Sequence, residues 1–157
     1  AMIMLKQTTL GIAALSLFAL SLLPLGALAA DTDETSGSAD NPQFEDLRQL
    51  VDAGKYDDAL PALEQLDQQS PGNPDVLNLI GFSMRKTGKF ADALVYYNKA
   101  LALNPMHLGA NEYLGEYYVE TGQMGRAKQQ LVTLEKVCKF GCEEAEELRR
   151  WIDGAKS

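Results

Sequence analysis

The sequence predicts an all-α fold built from stacked helical hairpins. Three observations carry this reading. First, turn-forming and small residues recur with a 34-residue period: Gly54, Gly88 and Gly122, then Ala59, Ala93 and Ala127, then Pro71 and Pro105. Second, from Asn41 onward apolar residues return at three- and four-residue spacing, which places them on one face of a helix. Third, Gly or Pro breaks this pattern about every 15 residues, so each helix is short and turns back on its neighbour. A fixed period of this length marks a repeat array in which each unit buries its apolar face against the next.

The chain opens differently. Lys6 is the only charge before Asp31, and Leu10 to Leu23 is an apolar run of 14 residues. Pro24 and Gly26 interrupt it, and Ala27-Leu28-Ala29 supplies small residues at the spacing signal peptidase requires. Residues 1–29 are therefore expected to be a secretory signal peptide cleaved near Ala29. The alternative is a retained anchor, but the run is shorter than the roughly 20 residues that span a bilayer. No stable membrane insertion is expected after cleavage. Residues 30–40, which include DTDETSGSAD, lack large apolar side chains and are expected to form a disordered linker.

The repeats occupy about 40–73, 74–107 and 108–141. The middle one is the clearest. Leu77, Ile80, Gly81 and Met84 lie at helical spacing in a first helix, roughly Pro74 to Lys86, which Pro74 opens and Thr87-Gly88 closes. A second helix, roughly Phe90 to Ala102, carries Ala93, Tyr97 and Ala100 and ends at Asn104-Pro105. Gly81 and Ala93 let the two helices approach closely, with Tyr97 and Phe90 filling the space beside them. The first copy keeps Gly54, Tyr56, Ala59 and Pro71, but its first helix, about Pro42 to Ala53, is weak and has Leu47 where a small residue belongs. The third copy keeps Leu114, Gly115, Tyr118, Gly122 and Ala127, then departs, with Leu131 and Leu134 in place of the aromatic and the second alanine. Weak terminal copies fit an array whose ends have one face uncovered. Cys142 to Asp153 then forms one more amphipathic helix, with Ala145, Leu148 and Ile152 on one face and charge on the rest.

The set Leu77, Gly81, Ala93, Tyr97, Ala100 and Pro105 in a 34-residue helix-turn-helix unit resembles a tetratricopeptide repeat (TPR). The resemblance runs from about Asn41 to Cys138. It implies a right-handed α-solenoid of three hairpins plus a C-terminal capping helix at about 142–153. It also implies a protein-binding role, with the first helix of each hairpin lining a concave groove. On that basis Asn78, Phe82, Arg85, Glu112, Glu116 and Glu120 are the candidate partner contacts, with Phe44 as a second exposed groove aromatic. Glu112, Glu116 and Glu120 recur every four residues and so share one helix face, which meets a cationic partner or is solvated. Arg85 or Lys86 can neutralise part of that stripe within the chain. Some TPR domains grip a peptide's C-terminal carboxylate with basic residues on successive first helices. Glutamates stand there in the third helix, which disfavours chaperone tails ending in Glu-Val-Asp. Tyr97 and Tyr118 are core positions of the repeat; Tyr96, Tyr113 and Tyr117 are expected to be more open.

Composition narrows the function further. The formal net charge is −8; without residues 1–29 the 14 basic residues fall to 13 and the 22 acidic ones stay, giving −9. Such a chain is repelled by phosphate backbones and anionic lipid, which argues against nucleic-acid binding. No catalytic residue, cofactor or metal site is expected: His107 is the only histidine and reads as an exposed turn residue, and no Gly-rich phosphate loop or zinc motif is present. The two cysteines, Cys138 and Cys142, straddle a turn relaxed by Gly141, within disulfide reach. A structural clamp is the first reading. The alternative is a thiol-redox or soft-metal protein, since a cysteine at a helix start favours thiolate, but four glutamates follow Cys142 within five residues and oppose it. Together these features lead to an exported, non-enzymatic TPR protein, an adaptor or assembly factor of a bacterial periplasm whose partner is another protein with a basic or amphipathic segment.

Overall fold

The computed structural model describes residues 41–155; the expected signal peptide and linker lie outside them. The described residues form seven α-helices: α1 Pro42–Asp52, α2 Tyr56–Gln69, α3 Pro74–Lys86, α4 Phe90–Leu103, α5 Leu108–Glu120, α6 Met124–Val137 and α7 Glu143–Gly154. Several boundaries have a local cause. Asn41 and Asn73 cap α1 and α3 by accepting backbone N–H bonds with their side chains, and a proline follows each as the first helical residue. The turns inside the three hairpins repeat as the period requires: Gly54, Gly88 and Gly122 hold φ of 75°, 79° and 72°, a left-handed conformation that other residues adopt at a cost.

The hairpins stack in sequence. Helices α1, α3, α5 and α7 lie side by side along one face, and α2, α4 and α6 back them. Ala59, Ala93 and Ala127, one per hairpin, are wholly buried at the close approaches. At Gly81 a Cβ would come within 2.9 Å of the Tyr97 ring, so the buried tyrosine fills the space the glycine leaves open. Gly115 does the same for the capping helix: a Cβ there would meet the Leu148 side chain at 2.4 Å. Ala145, Leu148 and Ile152 of α7 are buried against α5 and α6, while Glu143, Glu146, Arg149 and Arg150 are exposed. The weak first helix is nonetheless formed, because Phe44, Leu47 and Val51 all reach the core. No helix among the described residues is long and apolar enough to cross a membrane.

Candidate functional site

The inner face of the stack is built from the first helices, and the 34-residue period decides which side chains meet there. Residues 34 apart sit beside each other across adjacent hairpins, so Asn78 of α3 is matched by Glu112 of α5, and Arg85 by Val119, flanked by Glu116 and Glu120. The structure accordingly pairs Arg85 with both of those glutamates. Arg85 hydrogen-bonds Glu116, and its Nη1 lies 3.0 Å from Glu120 Oε2. Its guanidinium also lies over three aromatic rings, Phe82 at 5.4 Å, Trp151 at 5.6 Å and Tyr113 at 6.0 Å, so α3, α5 and α7 converge on one charge.

Burial changes what these residues can do. Arg85 is only 2% exposed and Glu116 4%. Burial opposes the arginine's charge, but Tyr97 together with the Glu116 and Glu120 carboxylates outweighs it and keeps the guanidinium protonated. Burial pushes the Glu116 carboxyl above its ordinary value, and Arg85 pulls it partly back. Arg85 and Glu116, expected as open partner contacts, are thus committed to each other inside the fold, while Glu120 stands at the open edge of the pair. Glu112 differs: it is 9% exposed, and no ion pair holds it among the described residues. Burial, then the charges of Glu116 and of Glu144, Glu147 and Glu143 on α7, push its carboxyl up to about 8. Burial, then the carboxylates of Glu112, Glu116 and Asp52, push the Tyr113 phenol up to about 12.

The accessible part of the face is a shallow groove lined by Phe44, Arg48, Asp52, Asp75, Asn78 and Tyr113, with Glu45 and Leu79 beside them. Arg48 is held by Glu45 at 2.8 Å and Asp52 at 3.9 Å. Phe82 is half-buried and stacks on Tyr113, ring centroids 4.5 Å apart, and edge-on to Tyr56 at 5.9 Å. Phe44, expected as an exposed groove aromatic, is buried, because the short first helix needs it for the core. Tyr117, expected to be open, is also buried, against Tyr118 and Phe90.

A tetratricopeptide-repeat family model matches residues 74–107, and a second one matches residues 50–86. The fold agrees: the first TPR domain of human RPAP3, solved by NMR, superposes with a TM-score of 0.62 at 25% identity, over 71% of this chain and 87% of that one. This is a TPR protein. Another TPR structure, titled the first TPR of Spaghetti (RPAP3) bound to the HSP90 peptide SRMEEVD, superposes with a TM-score of 0.61 at 24% identity, over 72% of this chain and 90% of that one. Among sequence relatives, Cellulose synthase 2 operon protein C of Komagataeibacter xylinus is 30% identical over 104 residues, which is 66% of this chain and 8% of that protein. The chain therefore spans a small part of that relative's length.

Two further features complete this TPR stack, and only the first was not read from the sequence. His107 is not an open turn residue but the N-cap of α5, standing 34 residues after the cap Asn73. Its Nδ1 accepts the Ala110 backbone N–H at 3.1 Å, so Nε2 carries the proton and donates to Asp75 of α3 at 2.9 Å. His107→Ala is expected to lose both bonds and about 1–2 kcal/mol of stability in urea unfolding. His107→Asn restores the cap without reaching Asp75 and is expected to recover about half. The second feature is the α6–α7 turn. Cys138 and Cys142 are joined across it with Cα atoms 5.6 Å apart, and Phe140 at its tip is wholly exposed. Cys142 is the N-cap residue of α7, so the bond ties the last helix at its first turn.

Proposed function

We propose that this TPR protein is an exported, non-enzymatic adaptor or assembly factor of a bacterial periplasm, holding a segment of another protein on its inner face. The observation that carries the reading is Tyr113, which lines a polar-rimmed groove and is backed by the Phe82 ring, the mix of aromatic anchor and charged rim that protein interfaces favour. The bacterial operon protein among its relatives and the apolar N-terminal run support export, and a bonded cysteine pair fits an oxidising compartment. The peptide-bound structural neighbour supports a protein segment as the occupant.

Site-specific photo-crosslinking in the native envelope tests this. The photoreactive residue is placed at Phe82 and at Arg48 on the groove, and at Lys99 on the outer helix α4 as a control. One dominant adduct from both groove positions, absent at Lys99, is the expected result. Equal adducts at all three sites, or none, would leave the groove without a partner and end the proposal.

A further inference from the structure

The inner face is left with a buried acceptor and a buried carboxyl that nothing in the fold satisfies, and this defines what it can hold. Asn78 is 8% exposed, and its buried Oδ1 accepts no hydrogen bond. An acceptor stripped of water and given no donor is costly, and in a native structure it points to a missing partner. Glu112, one hairpin further along the same row, is buried with no cation against it. The two positions belong to one locale: Asn78 packs on the first turn of α5, its Nδ2 within 3.0 Å of where a Gly109 Cβ would stand, and Glu112 is one turn on. Tyr113, next to Glu112 in the chain, lines the groove together with Asn78.

The cations near this locale are already used. Arg85 is shared between Glu116 and Glu120, and Arg48 between Glu45 and Asp52. Lys86 lies over the Phe82 ring, its Nζ 5.2 Å from the centroid. The groups that act on Glu112 from α5 and α7 are glutamates: Glu116, Glu143, Glu144 and Glu147. A ligand that completes this surface must bring positive charge and several N–H donors, and its flat or apolar part must suit the Tyr113 and Phe82 rings. The unpaired Asn78 Oδ1 calls for a hydrogen-bond donor, which an organic cation supplies through its N–H groups.

We infer that the groove is selective for a basic side chain, arginine or lysine, of the bound segment, whose head group seats between Asn78 and Glu112 against Tyr113. This rests on the proposed function, since it specifies the occupant of the same groove. It reverses the charge preference of a peptide such as SRMEEVD, which places acidic residues at its carboxyl end. A buried Glu112 also makes binding proton-linked. Seating a cation favours the ionised carboxylate, so affinity rises with pH until Glu112 is ionised in the free protein.

A phage-displayed dodecapeptide library, panned against the purified chain, tests the inference. The selected peptides are then synthesised with each arginine replaced by citrulline and each lysine by norleucine. Enrichment of basic residues is expected, with a loss of about tenfold or more in affinity on neutralising one of them. Glu112→Gln, which keeps the shape and removes the charge, is expected to abolish that difference and the pH dependence, whereas Phe82→Ala weakens charged and neutral peptides alike. Peptides that respond to Phe82→Ala but bind equally well as citrulline forms overturn the basic-residue inference and leave the groove function standing. A library that yields no binder sensitive to either substitution overturns both.

Discussion

Replacing Arg85 by alanine is expected to cost about 3–5 kcal/mol, enough to unfold much of the population of a marginally stable domain. The charge is buried, shared by Glu116 and Glu120, and enclosed by Phe82, Tyr113 and Trp151. Its removal strands the Glu116 carboxylate in a site 4% exposed and opens a void under three rings. Arg85→Lys keeps the charge but not the planar fork that spans two carboxylates, so an intermediate loss is expected. The double variant Arg85→Met with Glu116→Gln removes both charges and should recover most of the loss, because paired deletion avoids the stranded ion. Urea unfolding followed by circular dichroism at neutral pH measures all three. A single-variant loss below about 1 kcal/mol would show that the pair contributes no more than an exposed one.

The second large effect is a stability that falls as the solution becomes alkaline. Glu112 has a folded-state value of about 8 against an ordinary 4.5, so the folded chain holds this proton more tightly than the unfolded one. The contribution is fully present below the unfolded value, declines as pH rises above it, and is lost once pH passes the folded value. Each unit of difference is worth about 1.4 kcal/mol, so the loss by pH 9 is of the order of a few kcal/mol. Glu116 is raised too and acts in the same direction. Glu112→Gln is expected to match the wild type near pH 5 and to melt at a distinctly higher temperature at pH 9. Parallel melting curves for the two proteins across that range would place Glu112 in contact with water.

The fold was legible because its signals are local and periodic. Glycines 34 apart mark the same turn three times, and the helix limits of the middle repeat follow from Pro74, Gly88 and Pro105. The site was legible only in part. The period says which first-helix residues neighbour one another, and Arg85, Glu116 and Glu120 do meet across adjacent hairpins. It does not say how deeply each one sits, since depth depends on the next helix. Trp151 of α7 roofs Arg85 from outside the repeat that carries it, and nothing in the spacing of α3 and α5 announces that cover. Phe44 and Tyr117 were misjudged for the same reason: a face was read, but not the neighbour that closes it. His107 had a usable signal, its 34-residue offset from the capping Asn73, masked because histidine is an uncommon cap.

Trp151 over Arg85 also bears on how the molecule comes apart. In a repeat array each unit usually touches only its neighbours, so the last helix is free to fray while the rest persists. Here a ring from the terminal helix reaches past the third hairpin to a charge in the second, and the Cys138–Cys142 bond fastens the same helix at its other end. Opening α7 therefore uncovers an arginine that two hairpins rely on, which adds to the cost of local fraying. Amide protons in α7 are therefore expected to exchange more slowly than those of a terminal helix that touches only its neighbour.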